Sequence, residues 1–276
     1  MAHVIVTCLG KLLGVAFPDT VLEERDTLRD KTVKLGLIAR ACSIYGVDVI
    51  EIFRDEKKRG ESNLIRKVLE YLETPQYLRR RIYPLEETFK FAGLLPPLRI
   101  PSHKPKVPVE SLRVGEFREG VTNGDGTVDI GLDKSPRLEG GTGENRRVTV
   151  RLTSVNPLKA ELVRREEVSD YWGYAVEVRS LDDVLSDKRF GVKIGTSRYG
   201  NALRAQLPRL QESVRGAAGI ELVFGSPTRG LFDLAGADLP KRADYVVNLF
   251  ADQHVETVRT EEAIFAGLNL VNTLVF

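Results

Sequence analysis

Two hydrophobic patterns divide the chain: strand-and-helix spacing at both ends, and short alternating runs in the middle. Near the start, apolar residues at helical spacing predict a helix over about residues 27–45, with Asp26 as its N-cap. Short apolar runs at residues 3–7 and Val47–Phe53 flank this helix and are predicted as strands. Strand, helix and strand in this order predict a parallel βαβ unit.

The middle region begins with the proline-rich segment Leu94–Pro108, which is incompatible with a continuous helix or a central strand. Beyond it, short runs alternate apolar and polar residues as far as Tyr174–Val178, with glycine-rich turns between them. This pattern predicts a small antiparallel β-domain, which we assign to residues 105–180.

The strand-and-helix pattern returns from residue 181. Apolar runs at Phe190–Ile194, Ile220–Phe224 and Tyr245–Val247 predict strands, and a last helix is predicted from Glu256. The predicted fold class is therefore α/β, with one discontinuous domain formed by residues 1–104 and 181–276 and interrupted by the β-domain.

Composition describes a soluble globular protein with enough apolar material for a core: 276 residues, 42% hydrophobic and 29% charged. A net charge of +2 is only a weak indication of a polyanionic partner. The chain lacks an apolar run of membrane-spanning length and a signal-peptide pattern, so we expect a cytoplasmic protein without a membrane partner. Cys8 and Cys42 have no metal-binding spacing, and no metal site is predicted.

Polar loops rich in Gly, Ser, Thr and Arg follow the last predicted strands. Ligands of parallel α/β sheets bind beyond the carboxyl ends of the strands, so these loops can share one site. Gly225 and Gly230 would let the backbone approach a ligand closely. The dinucleotide fingerprint and the P-loop ending are absent from the sequence, which disfavours an ordinary Rossmann oxidoreductase and a generic nucleotide-binding enzyme.

A second candidate site is the stretch Tyr77–Pro84. Arg79, Arg80 and Arg81 could follow a phosphate backbone, and Tyr77 could stack on a base, so this stretch is a candidate RNA contact. The alternative is a solvated charged face, which is what most charged runs form.

Several short motifs resemble those of one branch of the SPOUT methyltransferases. This branch is the archaeal and eukaryotic group with an inserted OB-like domain. The catalytic half carries GTSRYG (195–200), VFGSPTRGL (223–231) and ETVRTEEA (256–263). The first half carries LIARACSIYGVDVIEIF, YLETPQYLRRRIYP, FAGLLPPL and GEFREGV. Each motif alone is weak evidence, but the number and order of the motifs make the resemblance fairly specific. The resemblance covers most of the chain.

The resemblance implies a trefoil-knotted parallel sheet with an inserted OB-like β-barrel, a homodimer, and S-adenosylmethionine as cofactor. Carried over by position, the cofactor-binding residues are Phe224, Gly225, Gly230, Leu231, Asn248, Gln253, Val258, Thr260 and Ala263. His254 stands where a small residue is usual in this branch, and it would either narrow the cofactor pocket or point outward.

The resemblance also implies that Thr196 and Arg198 face the methyl group and the substrate. A guanidinium keeps its charge, so Arg198 is suited to polarising a substrate carbonyl rather than accepting a proton. Glu261 and Glu262 are candidates for a catalytic base, and Glu262 completes the predicted catalytic set. Their alternative role is to complement the dipole at a helix N-terminus.

The predicted function is S-adenosylmethionine-dependent methylation of a base of RNA, with ribosomal RNA and uridine favoured. The alternative is a non-catalytic RNA-binding or ribosome-assembly factor, built on the β-domain and the arginine stretch. Binding of the cofactor separates the two.

Overall fold

A computed structural model describes residues 10–140 and 143–275. The predicted strand at residues 3–7 and Cys8 lie outside the described residues. The strands, in chain order, are β1 (Leu12–Pro18), β2 (Val49–Phe53), β3 (Phe117–Thr122), β4 (Val128–Asp129), β5 (Arg137–Glu139), β6 (Arg147–Val155), β7 (Leu158–Val163), β8 (Ala175–Arg179), β9 (Val192–Ala202), β10 (Gly219–Val223) and β11 (Tyr245–Asn248).

Helices connect most strands of the first and last parts of the chain. They are α1 (Leu28–Ile44), α2 (Ser62–Glu73), α3 (Gln76–Ile82), α4 (Leu181–Ser186), α5 (Leu203–Gly216), α6 (Leu231–Ala235), α7 (Leu239–Arg242) and α8 (Thr260–Val275). Thr27, not the predicted Asp26, is the N-cap of α1, because its side chain accepts a hydrogen bond from the backbone N–H of Asp30. Cys42 on α1 is a buried free thiol.

The main sheet is parallel throughout, with strand order β11-β9-β10-β1-β2-β8. Its central strand β1 was not predicted, although the segment Leu12–Pro18 is buried throughout. Helices α1, α2, α5 and α8 pack their apolar side chains on one face, and α4, α6 and α7 cover the other. The predicted α/β class with a parallel sheet is confirmed.

A separate curled sheet has the strand order β4-β3-β6-β7-β5. A bridge between Thr127 and Arg137 joins its two end strands, so the sheet closes around an apolar core that includes Val128 and Val150. The pair β5 and β7 is parallel, whereas the other pairs are antiparallel, so the prediction of an antiparallel β-domain holds only in part.

One strand of the predicted β-domain belongs to the main sheet. Ala175–Arg179, which forms β8, pairs in parallel register with β2. Assigning the run Tyr174–Val178 to the β-domain was therefore wrong, because local alternation does not reveal which strand a segment pairs with.

The two sheets meet at a charged seam. The Arg147 guanidinium donates to Glu73 of α2 at 2.7 Å and to Glu119 of β3 at 2.7 Å, and the Trp172 indole N–H donates to Glu119 at 2.6 Å. Burial alone would raise the pKa of Glu73, but Arg147 and Arg165 outweigh it and lower that pKa. Glu73 is thus kept charged, and the ion pairs of Arg147 with Glu73 and Glu119 hold the curled sheet against α2.

Candidate functional site

The predicted ligand loops meet at the carboxyl ends of β9, β10 and β11, which are neighbours in the sheet. They enclose a cleft of about 550 Å³. All nine predicted cofactor-binding residues line it: Phe224, Gly225, Gly230, Leu231, Asn248, Gln253, Val258, Thr260 and Ala263. Thr196 and Arg198 line it as well. The structure therefore brings together residues up to 67 positions apart in the sequence, from Thr196 to Ala263.

The apolar part of the cleft includes Phe224 and Leu231, both almost completely buried, with Val258 and Ala263. The Thr196 hydroxyl donates to the carbonyl of Val223 at 3.3 Å, which ties the middle of β9 to the end of β10. The Thr260 hydroxyl lies 3.5 Å from the carbonyl of Gly225 and connects the start of α8 to the same loop. The cleft is thus held together by side chains that line it.

A bulge in β9 contains the motif GTSRYG. In the pairing with β11, Val246 lies opposite Gly195, but its neighbour Val247 lies opposite Asn201. Residues 196–200 are therefore displaced from the sheet, and the tip of this bulge, with Arg198 and Tyr199, is exposed. Bulges of this kind re-aim side chains beside active sites, and this one directs Arg198 to the rim of the cleft.

Two predicted cofactor residues use their side chains to shape the loop after β11. The Asn248 amide donates to the carbonyl of Arg198 at 3.0 Å and accepts from the backbone N–H of Phe250. The Gln253 amide donates to the carbonyls of Val255 and Glu256. Contacts of these two residues with a ligand would thus come mainly from their backbone.

A carboxylate outside the predicted site holds the loop after β10. Glu23 accepts hydrogen bonds from the Ser226 hydroxyl at 2.8 Å, from the backbone N–H and hydroxyl of Thr228, and from Lys58. Burial alone would raise the pKa of Glu23, but the bonds from Lys58, Thr228 and Ser226 lower it to about 2. Arg229 forms a further ion pair with the buried Asp55, so the loop is fixed on both sides.

Glu262 does not line the cleft. It lies in a separate groove between α1 and α8, and its carboxylate accepts from the backbone N–H of Arg259 at 2.9 Å. α8 begins at Thr260, four residues later than predicted, which places Glu262 in its first turn. The alternative role of Glu262 at a helix N-terminus therefore fits the structure better than that of a catalytic base.

The neighbouring Glu261 and His254 also face away from the cleft. Glu261 is buried and pairs with Arg25 at 3.0 Å and Lys34 at 3.1 Å. His254 is exposed and lines the groove between α1 and α8. Of the two orientations considered for His254, the outward one is observed, and it leaves the cleft open.

The arginine stretch forms helix α3 and contacts the rest of the chain. Arg79 donates to the carbonyls of Thr74 and Leu72, at 2.9 and 3.0 Å, and its guanidinium lies 4.7 Å from the centre of the Tyr71 ring. Arg81 donates to the carbonyl of Thr122 in the curled sheet. Arg79 and Arg81 are therefore tied to contacts within the protein.

Tyr77 is packed in the seam rather than free to stack on a base. Its hydroxyl donates to the carbonyl of Glu119 at 2.8 Å, and its ring lies where a Cβ on Gly131 would come within 2.4 Å of it. Burial raises the pKa of Tyr77. The idea that this ring is available for stacking was wrong. Of the three arginines, only Arg80 forms no hydrogen bond or ion pair within the described residues.

Sequence reasoning missed several groups at the site. Asp233 and Glu256 place carboxylates at the cleft, and Tyr199 places an exposed ring there. Asp233 accepts from the backbone N–H of Gly230, three residues earlier, which is the spacing of an N-terminal helix cap. That spacing was a usable signal for Asp233, whereas nothing in the sequence links Glu23 to a loop some 200 residues away.

The cleft has the features of a site for a small organic ligand. It combines buried apolar walls, backbone at two glycines and carboxylates at its rim. Gly230 has an ordinary extended backbone (φ −65°, ψ 166°), and a Cβ there would meet only the Asp233 carboxylate, at 3.5 Å. The chain itself would accept a side chain at Gly230, so the glycine leaves space in the cleft for a ligand.

Residues 10–140 and 143–275 hold no cluster of three or more His, Cys, Asp or Glu side chains that could bind a metal. Across the same residues, no helix is both long and apolar enough to span a bilayer.

Comparison with known proteins defines the class. The protein family described as "Putative RNA methyltransferase" matches residues 13–271 of this chain. The chain therefore belongs to this RNA methyltransferase family, and the prediction of a methyltransferase enzyme is confirmed.

Relatives occur in archaea and in animals. An uncharacterized protein of Halobacterium salinarum is 33% identical, over 92% of this chain and 96% of its own length. The Homo sapiens and Mus musculus proteins named 28S rRNA (uridine-N(3))-methyltransferase are 32% and 31% identical over 93% of this chain, and the matches cover 76% and 74% of their own lengths.

Proposed function

We propose that the protein transfers a methyl group from S-adenosylmethionine to a base of ribosomal RNA, with a ring nitrogen of uridine as the favoured acceptor. The observation that carries this proposal is the single cleft lined by all nine cofactor residues together with Thr196 and Arg198. The names of the human and mouse relatives support ribosomal RNA and the N3 atom of uridine.

S-adenosylmethionine would supply an activated methyl group on its sulfonium sulfur. Phe224, Leu231, Val258 and Ala263 would cover its apolar parts, and the backbone around Gly225 and Gly230 would approach it closely. Family membership implies a methyl donor, and the fit of these residues favours S-adenosylmethionine.

Arg198 would act on the substrate. A uridine ring nitrogen must lose its proton before it can attack a methyl group, and the resulting charge spreads onto the neighbouring carbonyl oxygens. A guanidinium at the cleft rim can donate to such an oxygen and stabilise the charge. Thr196 is largely buried, and its hydroxyl is bonded to the carbonyl of Val223. Its role would therefore be to position the start of the bulge in β9.

The proton acceptor would be one of the carboxylates at the cleft. Asp233 and Glu256 line it and replace Glu262 as candidates. Asp233 is already held by the backbone N–H of Gly230, which fixes its direction, whereas Glu256 lies on the exposed loop before α8. A base must be within hydrogen-bonding reach of the proton it takes, so the fixed Asp233 is the stronger candidate.

For the fold, we propose a SPOUT-type knot. The last strand, β11, lies beyond β9 at the sheet edge, while the following helix α8 returns to pack against α1 and β10 on the other side of β9. Such a return of the chain is what a knotted end requires. Knots are rare, so the resemblance remains the main argument.

We further propose that the curled sheet is an OB-like barrel inserted between residues 105 and 180. Its five strands and the bridge that closes them support this, because the OB-fold is a small five-stranded Greek-key barrel that often binds single-stranded nucleic acid. Since β8 pairs with β2, we move the end of the proposed insert to before Ala175.

A homodimer is proposed through the groove between α1 and α8. Leu37, Ile44, Val255 and Phe265 expose apolar surface there, beside the loop that lines the cofactor cleft. Exposed apolar patches mark interaction surfaces, and two-fold dimers are the commonest soluble oligomers. Light scattering that gives a monomer mass at micromolar concentration would contradict this. The cytoplasmic location remains a prediction.

The proposed function is tested by mass spectrometry of nucleosides. Ribosomal RNA and transfer RNA from a strain that lacks the gene are digested before and after incubation with the protein and S-adenosylmethionine. We expect a methylated uridine that is missing from the ribosomal RNA of the deletion strain and restored by incubation. An unchanged set of modified nucleosides in both RNAs would contradict the proposal.

A further inference from the structure

A second cavity lies beside the cofactor cleft, at the edge of the main sheet next to β11. Its volume is about 490 Å³, which is within the usual range for small-molecule sites. Its lining includes the apolar residues Phe232, Ala243 and Val246. Its rim carries the side chains of Gln206 and Arg209 from α5. None of the cofactor residues lines this cavity.

The bulge of β9 separates the two cavities. Thr196, Ser197 and Arg198 line the cofactor cleft, Gly200 and Asn201 line the second cavity, and Tyr199 lines both. Gly200 lets the bulge close onto β11, since a Cβ there would lie 2.7 Å from the backbone of Val247. The Tyr199 side chain therefore lies between the two cavities and separates them.

Tyr199 is exposed at the tip of the bulge. Its side chain is 69% exposed, and the Arg198 guanidinium lies 4.9 Å from the centre of its ring. An exposed tyrosine ring beside an arginine is suited to stacking with a planar, electron-rich group. The same Arg198 lines the cleft where the acceptor base would bind, so a strand whose base enters the cleft must pass close to this ring.

The rim of the second cavity offers free hydrogen-bond donors. Within the described chain, the side chains of Gln206 and Arg209 form no internal hydrogen bond or ion pair, and Arg209 is exposed. Asp244, another lining residue, accepts from the backbone N–H of Lys193 at 2.7 Å. Apolar side chains, a tyrosine ring, an amide and a guanidinium around one cavity are groups that can bind an unpaired nucleobase.

We propose that this second cavity binds the nucleobase adjacent to the methylated one, in a single-stranded segment of RNA, with Tyr199 stacked between the two bases. The inference rests on the proposed function, because it presumes that the acceptor base occupies the first cleft. Tyr199 and Arg209 then determine which unpaired RNA segments the enzyme accepts, in addition to the choice of the acceptor base.

Fluorescence anisotropy with short labelled RNA strands tests this inference. Each strand is abasic except for one uridine, or for one uridine with a single adenine on its 5′ or 3′ side, and S-adenosylhomocysteine is present throughout. We expect the adenine on one side to tighten binding roughly tenfold, since one stacked base contributes on that order. Tyr199→Ala should remove this gain, and Tyr199→Phe should retain it.

Two arginines of α5 provide a matched control. Arg209→Ala should reduce the gain from the second base, whereas Arg204→Ala, an exposed neighbour outside both cavities, should not. If the wild type binds the uridine strand but gains nothing from an adenine on either side, the second site does not exist. If the gain survives in Tyr199→Ala, the base lies elsewhere. If the nucleoside assay shows no methylation, the proposed function fails, and that result is read independently of these strands.

Discussion

Two short stretches of this protein combine arginine with tyrosine, and the structure uses them in opposite ways. In the bulge of β9, Arg198 and Tyr199 are exposed between two cavities. In α3, Arg79 and Tyr77 hold backbone carbonyls of the protein itself. By composition alone, α3 is the better RNA-binding candidate, because it has three adjacent arginines.

The difference comes from position in the fold. The bulge lies in β9 just beyond the residues that pair with β10, on the side of the sheet where the carboxyl ends of the parallel strands form the ligand site. Helix α3 follows α2 directly and lies at the seam with the curled sheet, where backbone carbonyls need donors. Arginines near a second structural unit are therefore poor indicators of nucleic-acid binding unless their own contacts are known.

The largest expected effect is a lower rate of methyl transfer when Arg198, in the bulge of β9, is replaced. Arg198→Ala should lower the rate of single-turnover methyl transfer roughly 100- to 1,000-fold, because it removes a donor to the charge that develops on the substrate. Its stability should change little, since the side chain is exposed. Rapid-quench assays with saturating S-adenosylmethionine measure the rate, with Arg204→Ala as the control. An unchanged rate would exclude Arg198 from catalysis.

The corresponding change in α3 should affect stability instead. Arg79→Met removes charged donors from the carbonyls of Leu72 and Thr74 and should lower the free energy of unfolding by about 2 kcal/mol. Arg80→Met, at the exposed neighbouring position, should change it by less than about 0.5 kcal/mol. Urea denaturation followed by circular dichroism compares the two. If Arg79→Met and Arg80→Met are equally stable and only Arg79→Met loses RNA binding, Arg79 is an RNA contact and not a structural residue.

A smaller effect is expected at the loop beside the bulge. Glu23→Gln should weaken binding of S-adenosylhomocysteine roughly fivefold, because the loop at Ser226 and Thr228 loses charged hydrogen bonds. Glu56→Gln, at an exposed carboxylate two residues before Lys58, is the control. Calorimetry that finds equal affinities for wild type and Glu23→Gln would show that this loop needs no such support.

The pH dependence of the Glu23 contact has a definite sign. Its folded-state pKa, about 2, is below the ordinary value of 4.5, so its contribution to stability is complete above pH 4.5 and is lost as the pH falls toward 2. Between pH 5 and 8, Glu23 should therefore add no pH dependence to cofactor binding. A wild-type affinity that changes across this range, but is constant in Glu23→Gln, would contradict the assignment.

The smallest effect concerns Arg80, the exposed arginine of α3 that forms no hydrogen bond or ion pair within the described residues. If Arg80 contacts a phosphate, Arg80→Ala should reduce the slope of log affinity against log salt by about 0.7 to 0.9, and Arg80→Lys should not. RNA binding measured from low to moderate salt gives the slope. A slope equal to that of the wild type would remove α3 from the RNA-binding surface.

Much of the fold was predictable because its signals are local. The buried runs that became β2, β10 and β11 stand out as apolar segments followed by polar loops. The position of β8 was not predictable in this way, since its pairing with β2 joins segments more than 120 residues apart. Central β1 was missed because a shorter apolar run upstream attracted the strand prediction.

For the site, the resemblance predicted which loops come together, and the structure brings them together in one cleft. It could not predict which side chains are already used inside the protein. Glu262 caps a helix, and Glu23 reaches the site from the first part of the chain. Asn248 binds both the bulge of β9 and its own loop, and Gln253 binds its own loop. These roles depend on side-chain contacts between distant parts of the fold, which short sequence motifs do not reveal.

The central claim is that the cleft beyond β9, β10 and β11 holds the methyl donor, and titration calorimetry with S-adenosylmethionine tests it most directly. Wild type and Gly93→Val should bind alike, since a Cβ at Gly93 meets nothing within 4 Å and lies outside the cleft. Gly230→Val should remain folded, as a thermal melt would show, and lose binding because its side chain fills the cleft. Binding by Gly230→Val with the affinity of the wild type, or no heat from the wild type at millimolar ligand, would contradict the account.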